Sequence, residues 1–395
     1  MKTAAVALCM AVALLVAAGA QGPSGAPRVA PVADAEMTAE QRALVAQFAA
    51  MDIPNAVATY VSYPALAQAL LPHLRYIISE SSLPPRHRSL LGVRTAWLTR
   101  SPYLWGHLAA VARTNGLSAE DLTRIARGPN AAGWDPFEAA VLRAADELHI
   151  DSFISDATWK ALGARYDVPQ LIDTIDTGGA LTLHAGILNS FGVGVEPKVT
   201  DRLPSSVPYA VAGTRANVRL LGREPRIPPT PVTDPARPSA NVFRTFNHNP
   251  PADRVRGAIN GRVNNASTLM PRHRKLLLMR IGVLCRSEYE WAAHSRIGRR
   301  LGMTDADVAR IVSGPDSGGG DPVEIALLRA TDEIFEKDVV SASTWTTLAA
   351  SLEAKQMFDM LIAIGGYRST SMLINSAGVQ LDANQADFRF PPSLR

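Results

Sequence analysis

The sequence predicts an all-α protein built from two tandem helical bundles. The segment 86–193 matches 272–379 after a shift of 186 residues, without a gap and at roughly four positions in ten. A unit of this length is a duplicated domain with its own core rather than a short solenoid repeat. Within each copy, apolar residues recur at three- and four-residue spacing, and alternating strand patterns are nearly absent. We therefore expect about five to seven helices in each copy.

Length and composition agree with two domains of ordinary size and exclude several classes of protein. The chain has 395 residues, of which 47% are hydrophobic and 19% charged, so each half holds enough apolar residues for a packed core. A formal net charge of +4, with acids and bases interleaved, is too small to indicate a nucleic-acid partner or a polybasic membrane contact. Two cysteines, Cys9 and Cys285, cannot supply a disulfide scaffold or a four-ligand zinc site.

The N-terminal residues 1–20 have the pattern of a secretory signal peptide. One lysine precedes an apolar run that begins at Ala4 and ends at the small-residue triplet 18–20, which fits a cleavage site. A membrane anchor is the alternative, but the run is short for a bilayer span of roughly 20 residues. We expect a secreted or periplasmic protein with no membrane contact after cleavage. Cys9 lies in this segment, so the mature chain would hold one thiol and no internal disulfide.

The duplication divides the mature chain into two domains and a linker. We place the first domain at 37–196 and the second at 239–382. Residues 197–238 contain nine prolines and no sustained apolar period. This composition predicts a linker that is draped over both domains.

Capping signals place helix starts at matching positions in the two copies. The stretches SAED (118–121) and TDAD (304–307) resemble capping boxes, in which a hydroxyl and a carboxylate each bind a free backbone amide. DPFE (135–138) and DPVE (321–324) combine an N-cap aspartate, a proline in the first helical position and an acid in the first turn. These signals support the helical assignment of both copies.

The segment 285–294, CRSEYEWAAH, contains a third helix start. The first copy has Ser-Pro at 101–102, a pair typical of an N-cap followed by the first helical residue. By internal homology, Ser287 caps a helix that begins at Glu288. An alternative is that Ser287 and Glu290 form a capping box, in which Glu290 only binds a backbone amide.

Glu290 and His294 are four residues apart on this predicted helix. They share one face, where a carboxylate orients an imidazole and raises its pKa. The first copy has Leu104 and Leu108 at these positions, although it keeps the serine cap. The fold therefore does not need the polar pair, and we expect any active site mainly in the second copy. The alternative is that the histidine is a satisfied structural group.

Four further side chains are candidates for contact with a substrate: Arg274, Lys275, His248 and Ser287. Arg274 would bind a carboxylate if it faces the cleft, although its Arg-His-Arg context recurs at 86–88, which favours a structural role. His248 has no counterpart in the first copy, which has Ser62 there. One histidine and one glutamate supply only two metal ligands and no spacing fixes a third, so we expect no metal.

Taken together, these segments resemble the carboxymuconolactone decarboxylase family, which includes alkyl hydroperoxidase D. The resemblance rests on the tandem units, the YEWxxH segment (289–294), the DPxExxxLRxxDE stretch (321–333) and the Asn-Ser-x-Gly ending (375–378). It implies an all-helical fold that assembles as trimers or hexamers. It also implies cofactor-free chemistry and two activities, decarboxylation of a small carboxylated lactone and peroxide reduction by a cysteine pair. We therefore expect a homo-oligomer with a small-molecule substrate and no cofactor.

The resemblance also bears on the peroxidase activity. Peroxide reduction in the family resembles a Cys-x-x-Cys-x-x-x-His arrangement with an upstream glutamate as proton relay. On this chain the two cysteine positions are Ser287 and Glu290, the histidine is His294 and the relay glutamate is Lys275, so three of the four groups are missing. Cys285 precedes the first expected cysteine and has no partner thiol in the mature chain. It is either a small buried residue or a thiol activated by the positive end of the next helix.

The sequence leaves three functions open. The first is an exported enzyme in which His294, assisted by Glu290, performs acid–base chemistry on a small carboxylated or lactone-like compound, as a decarboxylation or a related lyase or isomerase step. The second is a thiol peroxidase that uses Cys285 with an external reductant. The third is a non-enzymatic protein that reuses the fold for binding or assembly.

Overall fold

The computed structural model describes residues 26–209, 224–232 and 239–394. These residues hold helices, turns and loops and no β-strand, which confirms the all-α class. The signal peptide predicted at 1–20 lies outside the described residues. Within the described ranges, no helix combines the length and the apolar content that a membrane crossing requires.

The described part of the first domain contains nine α-helices, of which the last seven belong to the repeated unit. Two helices lead into that unit, α1 (Ala39–Phe48) and α2 (Pro54–Tyr60). The repeated helices are α3 (Pro64–Arg75), α4 (Pro85–Leu98), α5 (Pro102–Thr114), α6 (Ala119–Arg127), α7 (Pro136–Asp151), α8 (Asp156–Gly163) and α9 (Val168–Phe191). A π-helical turn, Tyr76–Glu80, follows α3.

The second domain repeats these seven helices in the same order, after one short helix, α10 (Asn241–Phe246). The repeated helices are α11 (Pro250–Asn265), α12 (Pro271–Leu284), α13 (Glu288–Arg300), α14 (Asp305–Ser313), α15 (Pro322–Lys337), α16 (Ala342–Ala349) and α17 (Ala354–Ala377). With nine described α-helices in the first domain and eight in the second, the predicted five to seven was too low. Short 3-10 helices complete the described chain at Asp34–Glu36, Ala49–Met51, Pro315–Ser317, Ala383–Phe388 and Pro392–Leu394.

The predicted helix starts are present in both domains. The capping boxes at 118–121 and 304–307 are both formed, and the aspartates of the two Asp-Pro starts each accept from two backbone amides. The helix α13 begins at Glu288 with Ser287 as its N-cap residue, as predicted. The Ser287 hydroxyl, however, makes no capping hydrogen bond. The capping-box alternative for Glu290 is therefore wrong.

The long helices α9 and α17 pack against each other across the domain interface, where their contact is the most extensive between any two described helices. Glycines at equivalent positions permit this approach. A Cβ on Gly179 would collide with the Ser369 side chain, and a Cβ on Gly365 would lie 2.6 Å from Leu183 Cδ1. Ser369 is the repeat counterpart of Leu183, so the two contacts are related by a pseudo-two-fold axis.

The repeated Asn-Ser pairs also join the domains. Asn189 Nδ2 donates to the carbonyl of Thr99 in its own domain at 3.0 Å and to that of Asp338 in the other at 3.2 Å. Asn375 makes the equivalent pair of bonds from the second domain, at 2.9 and 3.2 Å. The serine after each asparagine accepts from a backbone amide of the opposite domain, at 3.0 and 3.1 Å. The domain interface therefore explains why both copies have this pair.

Part of the Pro-rich segment 197–238 lies against both domains. Arg226 donates to one backbone carbonyl in each domain, at 2.7 and 3.2 Å, and its guanidinium lies 5.0 Å from the ring centroid of Trp159. Arg28 makes the pseudo-symmetric contacts, at 3.0 and 2.7 Å, and lies 5.0 Å from the ring of Trp345. The segment that leads into each domain is thus part of the duplicated unit.

A buried ionic cluster lies where α3 and α9 of the first domain meet α11 of the second. Asp176 Oδ1 is 3.4 Å from Arg256 Nη1, and Asp176 Oδ2 is 3.5 Å from His73 Nε2. Burial alone would raise the pKa of Asp176, but the charges of Arg256 and His73 outweigh it and lower that pKa. The Arg256 guanidinium also lies over the ring of Phe246, 4.1 Å from its centroid. Phe246 forms part of the cavity described next, so the first domain supports that wall.

Candidate active site

A cavity of about 250 Å³ opens in the second domain beside α10, α11, α13 and α17. Its apolar wall includes Val242, Phe243, Phe246 and Ala293. Its polar wall includes Asn260, Asn264, Glu290, His294, Arg296 and Tyr367. The two residues that the sequence singled out on α13 therefore both face one cavity.

Glu290 and His294 are in close contact, and a lysine lies behind the histidine. Glu290 Oε2 is 3.0 Å from His294 Nε2, one helical turn away on α13. Lys275, on α12, places its Nζ 3.1 Å from His294 Nδ1. An ammonium group can only donate, so Nδ1 accepts and Nε2 carries the ring proton. The imidazole is therefore neutral, and its Nε2 is the ring nitrogen next to Glu290.

The hydrogen bonds continue from Lys275 to two further helices. Lys275 Nζ lies 3.4 Å from Asn264 Oδ1 on α11, and Asn264 Nδ2 donates to the Tyr367 hydroxyl on α17 at 2.6 Å. The ring of Tyr367 packs edge-on against the ring of His294, with centroids 4.9 Å apart. Four helices thus contribute to one connected network, which restricts the orientation of each member.

Burial shifts the pKa values within this network. It raises the pKa of Glu290 to about 8, although the Lys275 charge opposes the shift. It lowers the pKa of Lys275 to about 8, and the charge of Arg274 adds to this effect. Burial also lowers the pKa of His294 well below its ordinary value, with further lowering by Lys275 and Arg274. The expectation that Glu290 raises the histidine pKa is therefore wrong, because burial and two cations outweigh the carboxylate.

The two carboxylate oxygens of Glu290 differ in their surroundings. Oε2 lies 3.0 Å from His294 Nε2, whereas Oε1 has no hydrogen-bond or ion-pair partner among the described residues. Both ring nitrogens of His294 are engaged, one with Glu290 and one with Lys275. Of this pair, Glu290 is the residue with an atom available to a molecule in the cavity.

The network does not offer a metal a complete set of ligands. Glu290 and His294 are its only carboxylate and imidazole, and they bind each other. Across the part of the chain that the structure describes, no group of three or more His, Cys, Asp or Glu side chains is placed to hold a metal ion. The groups present are suited to accepting and donating protons.

Cys285 lies outside the cavity wall, directly after α12. Its side chain is buried, with 1% of the residue exposed, and burial raises the pKa of the thiol to about 11. A nucleophilic cysteine needs the opposite shift, toward the thiolate. The structure therefore favours the small buried residue over the activated thiol.

None of the four side chains predicted to contact a substrate is part of the cavity wall, and Lys275 is connected to the wall through its contact with His294. His248 Nε2 donates to the Pro228 carbonyl at 2.9 Å, and Ser287 is fully buried at the start of α13. Arg274 makes no hydrogen bond or ion pair with residues in the described ranges, but its charge lowers the pKa of Lys275 and of His294. Its influence on the site is therefore electrostatic.

Among the polar side chains of the cavity wall, sequence analysis missed Asn260, Asn264, Arg296 and Tyr367. The first domain has apolar residues at the aligned positions, namely Leu74, Ile78, Ala110 and Leu181. The comparison of copies that singled out Glu290 identifies these positions in the same way. The polar-for-apolar difference between the copies is thus present at these four positions as well as at Glu290 and His294.

Larger side chains occupy the equivalent region of the first domain. His107, which aligns with Ala293, places its Nε2 2.6 Å from Glu196 Oε2. Leu104 and Leu108 are buried where the second domain has its glutamate and histidine. The exchange of a histidine for the small Ala293 is one reason that the second domain has space for a ligand.

Comparison with known families agrees with the internal duplication. The carboxymuconolactone decarboxylase family matches the chain at residues 64–147 and again at 250–333. The two matched regions are separated by the same shift of 186 residues as the repeat, and each begins at the first residue of a helix, α3 or α11. Neither a curated protein nor a solved structure gives a significant match. The chain therefore carries two tandem domains of the carboxymuconolactone decarboxylase family.

Proposed function

We propose that the second domain is a cofactor-free acid–base catalyst for a small carboxylated or lactone-like compound. One observation carries the proposal: a hydrogen-bonded network lies at the wall of a cavity in this domain and is replaced in the first domain. The network residues are Lys275, Glu290 and His294, and their counterparts are Ser89, Leu104 and Leu108. Because the first domain has the same helices without the network, folding does not explain its presence.

Glu290 is the proposed proton donor. Its Oε2 lies 3.0 Å from the protonated Nε2 of His294, which favours the carboxyl proton on Oε1, the oxygen without a partner among the described residues. A pKa of about 8 keeps that proton in place at neutral pH, where an ordinary glutamate has lost it. His294 and Lys275 orient the carboxyl and stabilise its anion. This assignment exchanges the roles that the sequence suggested, in which His294 acted and Glu290 assisted.

A decarboxylation would use this donor in one step of proton transfer. The bond between the substrate carbon and its carboxylate breaks, carbon dioxide leaves, and the electron pair moves into a conjugated carbonyl of the substrate. The carbon that lost the carboxylate then takes the proton from Glu290 Oε1. Water returns a proton to the Glu290 carboxylate. A lyase or isomerase step on a lactone would use the same donor and acceptor at Oε1.

A panel of small lactones and carboxylic acids tests the proposal, with products followed by NMR and carbon dioxide release measured separately. Glu290→Gln and His294→Ala are expected to lower turnover of the accepted substrate at least about 100-fold, the usual contribution of general acid–base catalysis. Leu108→Ala, at the position equivalent to His294 in the first domain, is the matched control and retains turnover. Unchanged turnover in both second-domain variants would place the chemistry elsewhere.

The two alternative functions receive less support. A thiol peroxidase would need Cys285 as a thiolate, and burial raises the pKa of this thiol to about 11. A non-enzymatic role would be favoured if Glu290 and His294 were packed shut, but both face a cavity. A wild-type protein that turns over no member of the panel would favour the non-enzymatic role.

Export of the protein is a further part of the proposal. It is supported by the apolar N-terminal run and the small residues at 18–20. N-terminal sequencing of the protein from its native source is expected to find Gln21 as the first residue, and an intact Met1 would overturn this part. Assembly into a homo-oligomer stays a prediction from the family resemblance.

A further inference from the structure

Two polar side chains at the cavity wall carry atoms without a partner. Arg296 makes no hydrogen bond or ion pair with the residues that the structure describes, and its Nε is buried. Asn260 Oδ1 is also buried and receives no hydrogen bond. The first domain has Ala110 and Leu74 at these positions, so the fold does not require either side chain. A buried polar atom without a hydrogen bond is energetically unfavourable, which points to a ligand that supplies the missing hydrogen bonds.

The hydrogen-bonding groups of Arg296 and Asn260 define which groups a ligand needs in order to pair with them. The guanidinium of Arg296 has donors only, arranged in a planar fork that matches a carboxylate. Asn260 Oδ1 is an acceptor and needs an O–H or N–H donor from the ligand. The cavity of about 250 Å³ holds about eight water-sized groups at roughly 30 Å³ each, and Phe243 and Phe246 give it an apolar side. The ligand is therefore a small molecule with an apolar part and two polar groups.

The remaining charges around the cavity permit a bound anion. Asp382 is the other carboxylate in the wall, and it accepts a hydrogen bond from the Tyr289 hydroxyl at 2.6 Å. Glu290 carries a proton at neutral pH because burial raises its pKa to about 8. Lys275 and Arg274 add positive charge behind the polar wall, as their effect on the His294 pKa indicates. Of the two carboxyl groups in the wall, Asp382 is thus hydrogen-bonded and Glu290 is protonated, while Arg296 is a cation of the wall with no partner among the described residues.

We infer that this cavity binds a small carboxylate that also carries a hydroxyl or N–H donor, with Arg296 binding the carboxylate and Asn260 accepting from the donor. The inference rests on the proposed function for its site and narrows the substrate class. A neutral lactone offers Arg296 only a single carbonyl acceptor and gives Asn260 no donor, a simple acid satisfies Arg296 alone, and a hydroxy acid satisfies both. The two residues lie on different helices, α13 and α11, so they select for the spacing of the two polar groups as well.

Three probes that differ by one group each test this inference on the full-length chain. Mandelate has a carboxylate, a hydroxyl and an apolar ring, phenylacetate lacks the hydroxyl, and benzyl alcohol lacks the carboxylate. By calorimetry, the wild type is expected to bind mandelate about tenfold more tightly than either of the others, the effect of leaving one buried polar group unpaired. Asn260→Leu is expected to bind mandelate and phenylacetate equally. Arg296→Ala is expected to lose the preference for mandelate over benzyl alcohol.

The two variants take the residues that the first domain already has, and circular dichroism verifies that each retains the wild-type helix content. Arg300→Ala, which removes an exposed charge from the same helix, is the control and keeps both preferences. Equal binding of the three probes by the wild type, or no binding of mandelate, overturns the inference. Binding is measured without turnover, so a wild type that prefers mandelate but turns over no substrate contradicts the proposed function alone. Turnover without the preference contradicts this inference alone.

Discussion

Lys275 Nζ lies 3.1 Å from His294 Nδ1, and this contact decides where the ring proton is. Since the ammonium group donates to Nδ1, the ring proton is on Nε2, which lies 3.0 Å from Glu290 Oε2. The contacts therefore run in one order, from Lys275 through His294 to Glu290. Glu290 lines the cavity, and its Oε1 has no partner among the described residues.

Replacing the network by the residues of the first domain is expected to stabilise the protein and abolish its activity. The triple variant is Lys275→Ser, Glu290→Leu and His294→Leu. Substituting apolar side chains for buried polar and ionic groups commonly raises the free energy of unfolding by about 1–4 kcal/mol. Guanidinium unfolding compares the variant with the wild type, and the substrate panel measures turnover. A variant less stable than the wild type would contradict the view that the network is retained for chemistry.

The same variant tests how stability depends on pH. The pKa of Glu290 is about 8 in the folded protein and 4.5 ordinarily, so the folded state binds this proton more tightly. The stability that this proton contributes is complete below pH 4.5 and declines as the pH rises to about 8. The pKa of Lys275 is lowered from 10.5 to about 8, so between these values the unfolded state binds more protons and stability rises with pH.

Relative to the triple variant, the wild type is therefore expected to have its lowest free energy of unfolding near pH 8. Chemical unfolding at several pH values between 6.5 and 10.5 measures this difference, because above pH 6.5 His294 is mostly neutral in both the folded and the unfolded state. The triple variant keeps every titrating group other than Lys275, Glu290 and His294. A difference that does not change with pH would mean that Glu290 and Lys275 titrate as they do in the unfolded chain.

Cys285 is expected to resist alkylation in the folded protein. Because burial raises the pKa of its thiol to about 11, almost no thiolate is present at pH 8. Mass spectrometry after iodoacetamide treatment would find the native protein unmodified and the denatured protein fully modified. Cys285→Thr, which introduces the residue of the first domain, is expected to retain turnover. Formation of sulfenic acid on addition of peroxide would restore the peroxidase alternative.

Gly179→Ala is expected to destabilise the domain interface. The new methyl group would collide with the Ser369 side chain where α9 and α17 cross, and overpacking of this kind typically costs about 1–3 kcal/mol. Gly163→Ala is the matched control, because a Cβ there has no neighbour within 4 Å. Thermal unfolding compares the two variants. Equal melting temperatures would show that the helices can separate at this crossing without cost.

The duplication is the reason that much of the fold and part of the site can be predicted from the sequence. Positions shared by the copies, such as the capping boxes at 118–121 and 304–307, indicate what the fold requires. Positions that differ, such as Glu290 and His294, indicate what it does not require. The contacts of Arg28 and Arg226 escaped this comparison, because the two residues are 198 positions apart rather than 186 and a constant shift does not align them.

Spacing along the chain could not predict that side chains from four helices meet at one site. Lys275, Asn264 and Tyr367 come from three helices other than α13, and the packing of those helices sets their approach to His294. The predicted direction of the His294 pKa shift was wrong for the same reason. The sequence showed the neighbouring carboxylate of Glu290, whereas burial and the cations contributed by α12 appear only in the folded chain.

The protonation state of Glu290 is the most direct test of the central claim that the network presents a proton donor to the cavity. Infrared difference spectroscopy of the wild type against Glu290→Gln isolates the carbonyl band of the protonated side chain, without any knowledge of the substrate. A band that persists at pH 7 and disappears with a midpoint near pH 8 is the predicted result. A band that is already lost by pH 5.5, as for an ordinary glutamate, would contradict the account.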